Sequence, residues 1–186
     1  MKKGLAIACV VGLFSFVLLT GCSLMSSEAE KGGMVKGIET AQNEEEILLA
    51  DFYFGVLCDL YEKDSGLNDG VEIIALDLTA LTNLGEAGKA ELISLAEEKF
   101  EAEIIEKTYE ELVDEGYILN PNEFPEFENG LALSFSNVAD EGNNGKSFSF
   151  SVQKWRTALG AYGFSDCKAV KKDDGWTYTI GAEFIS

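Results

Sequence analysis

The chain has 186 residues, with 14 Lys+Arg against 33 Asp+Glu, a net charge of −19 and no histidine. Such an acidic balance excludes a nucleic-acid surface, which needs basic side chains to neutralise phosphates. The missing imidazole excludes Ser-His-Asp and Cys-His nucleophile activation and any His-ligated zinc site.

The N-terminus opens on Met1-Lys2-Lys3, continues through an almost wholly apolar run from Leu5 to Leu19, and closes on Leu19-Thr20-Gly21-Cys22. A basic start, an apolar centre and a small-residue cut site describe a signal peptide, and the run falls short of the ~20 residues that a spanning helix needs. Leu19-Thr20-Gly21-Cys22 resembles the lipobox of bacterial lipoproteins: Leu, a small residue, Gly or Ala, then Cys. The resemblance implies cleavage after Gly21 and lipidation of Cys22. It also implies an extracytoplasmic domain held to the cell membrane or, since Ser23 and not aspartate follows the cysteine, to an outer membrane where there is one. Losing Lys2 and Lys3 leaves 12 cationic side chains against 33 acids, a net charge of −21. That charge would hold the domain off an anionic lipid surface rather than flat on it.

Residues 22–42 are rich in Ser, Glu, Lys and Gly and contain Gly32-Gly33 and Gly37, which reads as a flexible tether. The remainder, residues 43–186, has the size of one domain. From Glu44 to Glu62, Ile47, Ala50, Phe54, Leu57, Cys58 and Tyr61 recur at helical steps, with Asn43 as the expected N-cap and three glutamates in the first turn. Val71–Leu78 reads as a buried strand and Glu86–Phe100 as a second helix. Glu103–Glu106 reads as a short strand or as a continuation of that helix. A Thr108-x-x-Glu111 capping box and Gly116 frame a short helix over 109–115. Pro121 and Pro125 mark a connection. Beyond it the period becomes two: Leu131, Leu133 and Phe135, then Phe148, Phe150 and Val152, then Trp176, Tyr178 and Ile180, each alternating mainly with small or polar residues. Gly163–Lys171 supplies a further strand, with hairpin loops at 140–145 and 172–175.

Helices first and a strand meander last predict an α+β fold, with N-terminal helices packed on one face of a C-terminal antiparallel sheet. The order of elements is similar to that of small cone-shaped folds such as the NTF2-like and cystatin-like groups.

Few motifs carry chemistry. The Gly88-Lys89 pair lacks the glycine at 83 and the Ser or Thr at 90 of a P-loop, where Asn83 and Ala90 stand. The acidic loops from Asp64 and from Asp140 both miss the calcium-loop spacing. No catalytic residue, metal ligand or cofactor motif emerges. Cys58 and Cys167 could form a disulfide in an oxidising exterior, or stand as two buried thiols. One constellation stands out: Lys154-Trp155-Arg156 holds the chain's single arginine and one of its two tryptophans. A planar cation beside aromatics suits a carboxylate, phosphate or sugar face. The alternative is that Arg156 pairs locally and Trp155 packs. The stretch Lys154–Gly163, with Asp174-Gly175-Trp176, resembles segments of uncharacterised secreted bacterial proteins, a likeness that implies no activity. The expected role is a non-enzymatic binding domain for an envelope protein or cell-wall ligand. A carboxylate-dependent glycan hydrolase and a purely structural lipoprotein are the alternatives.

Overall fold

The computed structural model describes the backbone of residues 29–186 and side chains from Asn43 onward. The leader, Leu19, Thr20, Gly21 and Cys22 lie outside the described residues.

Among the described residues three α-helices, α1 (Ala29–Glu62), α2 (Glu86–Lys99) and α3 (Tyr109–Asp114), and a 3-10 turn at Ser65–Asn68 accompany seven strands. The strands are β1 (Ile73–Asp77), β2 (Glu103–Glu106), β3 (Gly130–Asp140), β4 (Ser147–Thr157), β5 (Gly160–Lys172), β6 (Gly175–Thr179) and β7 (Ala182–Ile185). The class is α+β. Helix α1 does not begin at Asn43: it already includes Ala29, the first described residue, inside the segment read as a tether. Once a helix is nucleated, each added residue gains a hydrogen bond, and Ala, Glu, Lys, Met and Gln are good helix formers. Those preferences stand against the three glycines that suggested a break.

The sheet is mixed rather than antiparallel, and it is not confined to the C-terminal half. Its order is β2-β1-β3-β4-β5-β6, with β7 also paired to β5. Strand β1 runs parallel to both β2 and β3, because α2 and then α3 carry the chain back between them, as parallel neighbours require. From β3 onward each pairing is antiparallel. Register shifts between Ser136 and Ala139 and between Phe150 and Val152 are bulges, and bulges bend strands and curl the sheet. The capping box of α3 is formed: Glu111 N donates to Thr108 Oγ1 at 3.2 Å and Thr108 N to Glu111 Oε2 at 2.8 Å. Gly116 follows with φ +81°, the left-handed conformation glycine adopts without strain.

Two cores follow from the alternation of side chains along the strands. Ile74, Leu76, Leu131, Leu133, Phe135, Phe148, Phe150 and Val152 join the α1 residues Ala50, Phe52, Tyr53, Val56 and Leu57 and the α2 residues Leu92 and Ala96 in the main core. Intervening strand residues point the other way. There Ala75 shares a smaller core with Leu112 of α3, Ile118 and Phe127. That second core covers only part of its face, and the uncovered remainder becomes a cleft.

Candidate binding cleft

Lys154, Trp155 and Arg156 do not act together, because neighbours on a strand face opposite sides. Lys154 continues the run Phe148, Phe150, Val152 and is fully buried. Its Nζ shares three N–H donors among four acceptors: Tyr61 O and Asp64 O at 3.1 Å, Asn68 Oδ1 at 3.0 Å, and Lys63 O. Arg156 donates to Leu67 O at 3.0 Å, Asp69 O at 2.5 Å and Glu128 O at 2.8 Å. Lys154 therefore ties β4 to the end of α1 and to the 3-10 turn at Ser65–Asn68, and Arg156 ties it to that turn, Asp69 and Glu128. Lys154 is thus enclosed by acceptors of its own chain, and Arg156 spends three hydrogen bonds on backbone carbonyls. The partners given for Arg156 are main-chain carbonyls and not an acid.

Trp155 alone of the three faces the cleft. The cleft has a volume of about 410 Å³, within the usual range for small-ligand sites. Its floor is built by register. Asp77 of β1 pairs with Ser134 of β3, and Ser134 with Gln153 of β4, so three polar side chains stand in one cross-strand row. Ala75, Ala132 and Trp155 form the parallel row behind. Beyond Gln153 the polar row reaches Gly163, whose missing Cβ leaves room for the Phe184 ring: a Cβ there would lie 2.3 Å from it. Tyr109, the first residue of α3, meets Trp155 edge to face at 5.4 Å and fixes its ring as a wall.

The charges at the cleft are largely engaged. Asp77 Oδ1 accepts from Thr79 N at 3.0 Å and Thr79 Oγ1 at 2.5 Å. Lys107, at the rim, is paired with Glu115 at 2.6 Å, which raises its pKa. Glu110 also lines the opening. The resulting site offers an aromatic wall, a floor of hydroxyl, amide and carboxylate groups, and a net negative rim.

Cys58 and Cys167 are free thiols, so the disulfide weighed from sequence is not formed. Cys58 faces Lys99 and Phe100 at the end of α2, whereas Cys167 is buried in β5 opposite Phe150. Burial pushes both thiols up, Cys167 to about 11, which suppresses the reactive thiolate. Among the described residues there is no group of three or more His, Cys, Asp or Glu that could hold a metal ion, and no helix is long and apolar enough to cross a membrane.

Asp77, Tyr109, Ser134, Ser136 and Gln153 carried no sequence motif. Their signal was positional: Ser134, Ser136 and Gln153 are the out-of-phase residues of strands whose apolar members are buried. Comparison with family models, curated proteins and solved structures finds no match to this chain.

Proposed function

We propose that the protein is a non-enzymatic binding domain, held to the outer side of a membrane by lipid on Cys22, with the Trp155 cleft as its ligand site. The anchor rests on the basic, apolar and Leu19-Thr20-Gly21-Cys22 sequence; two or more acyl chains give durable attachment. In this reading α1 and α2 form a layer over one face of the sheet, supported by the Phe52 and Tyr53 contacts with Phe148 and Phe150. The opposite face is then free to receive a ligand. The single observation that carries the binding reading is the pairing of a fixed aromatic wall with the polar row Asp77–Ser134–Gln153 in a cleft that no described segment fills.

A hydrolase acting on a glycan is the second reading, because Asp77 and Glu110 both line that cleft. Turnover of a bound glycan that disappears in Asp77→Asn would favour it over binding alone.

Crosslinking in cells, membrane fractionation and pull-down test the proposal together. Wild type is expected in the membrane fraction with a captured ligand. Cys22→Ala should leave the membrane, and Trp155→Ala should stay there but lose the ligand. A membrane-bound Cys22→Ala protein would overturn the lipid anchor. Undiminished capture by Trp155→Ala would overturn the cleft.

A further inference from the structure

We infer that the cleft selects a neutral saccharide, a reading that rests on the cleft being the ligand site. Four observations converge on that class.

The wall comes first. Trp155 is part of the cleft lining, and Tyr109 holds it edge to face at 5.4 Å. A ring held in place offers its apolar face to the C–H face of a pyranose at little conformational cost, since an aromatic side chain has few torsions to lose.

The floor comes second. Asp77, Ser134 and Gln153 stand on three adjacent strands in one register row. Cross-strand neighbours on one face are about 5 Å apart. The row therefore presents acceptors and donors at repeated intervals: a carboxylate oxygen, a hydroxyl that does both, and an amide that does both. A chain of ring hydroxyls is a matching partner, because each hydroxyl also donates and accepts. Ser136, which also lines the cleft, extends the set on β3.

Charge is the third observation. An anionic ligand would face Asp77 and Glu110, while Lys107 is paired with Glu115. The chain's −19 charge repels anions at longer range as well. A cationic ligand would need an available carboxylate cage. The lining instead has two acids, Asp77 and Glu110, and Asp77 already uses one oxygen on Thr79.

The last observation is how the polar row ends. Phe184, seated over Gly163, follows Gln153 in the polar row, so the hydrogen-bonding surface is flanked by apolar surface there. A floor of limited length suits a short saccharide segment better than an extended peptide, which would pair with a strand edge.

The test is calorimetric titration of the full lipidated chain in detergent with N-acetylglucosamine oligomers, their de-acetylated cationic forms and galacturonate oligomers. Neutral oligomers should bind. Trp155→Ala should weaken them roughly tenfold or more, and Gln153→Ala, an exposed position that leaves the core untouched, roughly fivefold. Tighter binding of the cationic or the anionic oligomers would overturn the neutral class. No saccharide binding, with Trp155-dependent capture in cells retained, would overturn the saccharide inference while leaving the cleft as the ligand site. Saccharide binding that survives in both variants would overturn the proposed placement in the cleft.

Discussion

Replacing Lys154 with methionine should lower the stability of the protein by about 3 kcal/mol, even though methionine matches the length of the lysine stem. A buried ion can often be exchanged for an apolar residue without loss, but only when its partners are exchanged too. Here three of the four partners are main-chain carbonyls, of Tyr61, Lys63 and Asp64, which no side-chain substitution removes. The fourth is Asn68 Oδ1, whose own amide is spent on Tyr61 O at 2.7 Å. Burial pulls the ammonium down to about 8, with Asp64 opposing, so at pH 7 it carries its full set of donors. Methionine would leave the last turn of α1 and the left-handed Asp64, at φ +42°, without the group that organises them. The expected observation is a thermal midpoint lower by roughly 10 °C, with loss of hydrogen-exchange protection beginning in residues 61–69. A shift of less than about 2 °C would mean that water satisfies those carbonyls as well as Lys154 does.

The second large effect concerns Phe52. Its ring centroid lies 5.3 Å from Tyr53, 5.8 Å from Phe148, 6.0 Å from Phe150, and 5.9 Å from both Trp176 and Tyr178. Two of those partners belong to β4 and two to β6, so one helical side chain bridges two strands that are not neighbours. Truncation removes a large apolar surface and leaves a void that rigid rings close only in part. Phe52→Ala should therefore cost about 3–5 kcal/mol in chemical denaturation, and Phe52→Leu well under half of that. A cost below about 1 kcal/mol for the alanine variant would mean that α1 is not docked over these strands in solution.

Much of the fold was legible because local signals and burial agreed. The capping box Thr108/Glu111 announces α3, and the alternation around Phe135 and Phe150 identifies the buried face; Glu103–Glu106, open from sequence between strand and helix, is a strand. The mixed character of the sheet was hidden: β1 and β2 are short, apolar runs whose direction depends on how α2 packs, which periodicity does not record. Strand β7 was missed because Ala182–Ile185 has little burial of its own; it is held by pairing with β5. The site is less legible for a different reason. Lys154-Trp155-Arg156 drew attention as a cluster of unusual residues, yet the same period of two that identified the core face sends Lys154 inward and Trp155 outward. Carried one step past Val152, the alternation separates the buried clamp from the cleft wall. The row Asp77–Ser134–Gln153 could not be assembled from sequence, since it needs the register of three strands at once.

The claim that the open face of the sheet receives a ligand is most directly tested by placing a photo-crosslinking amino acid at Ser136, in the cleft, and separately at Lys172, on the β5–β6 hairpin, in the full-length protein in living cells. The account predicts one discrete adduct from position 136, none at the same mass from position 172, and loss of that adduct when Trp155→Ala is added. Adducts of equal yield from both positions, or an adduct at 136 that persists without Trp155, would contradict it.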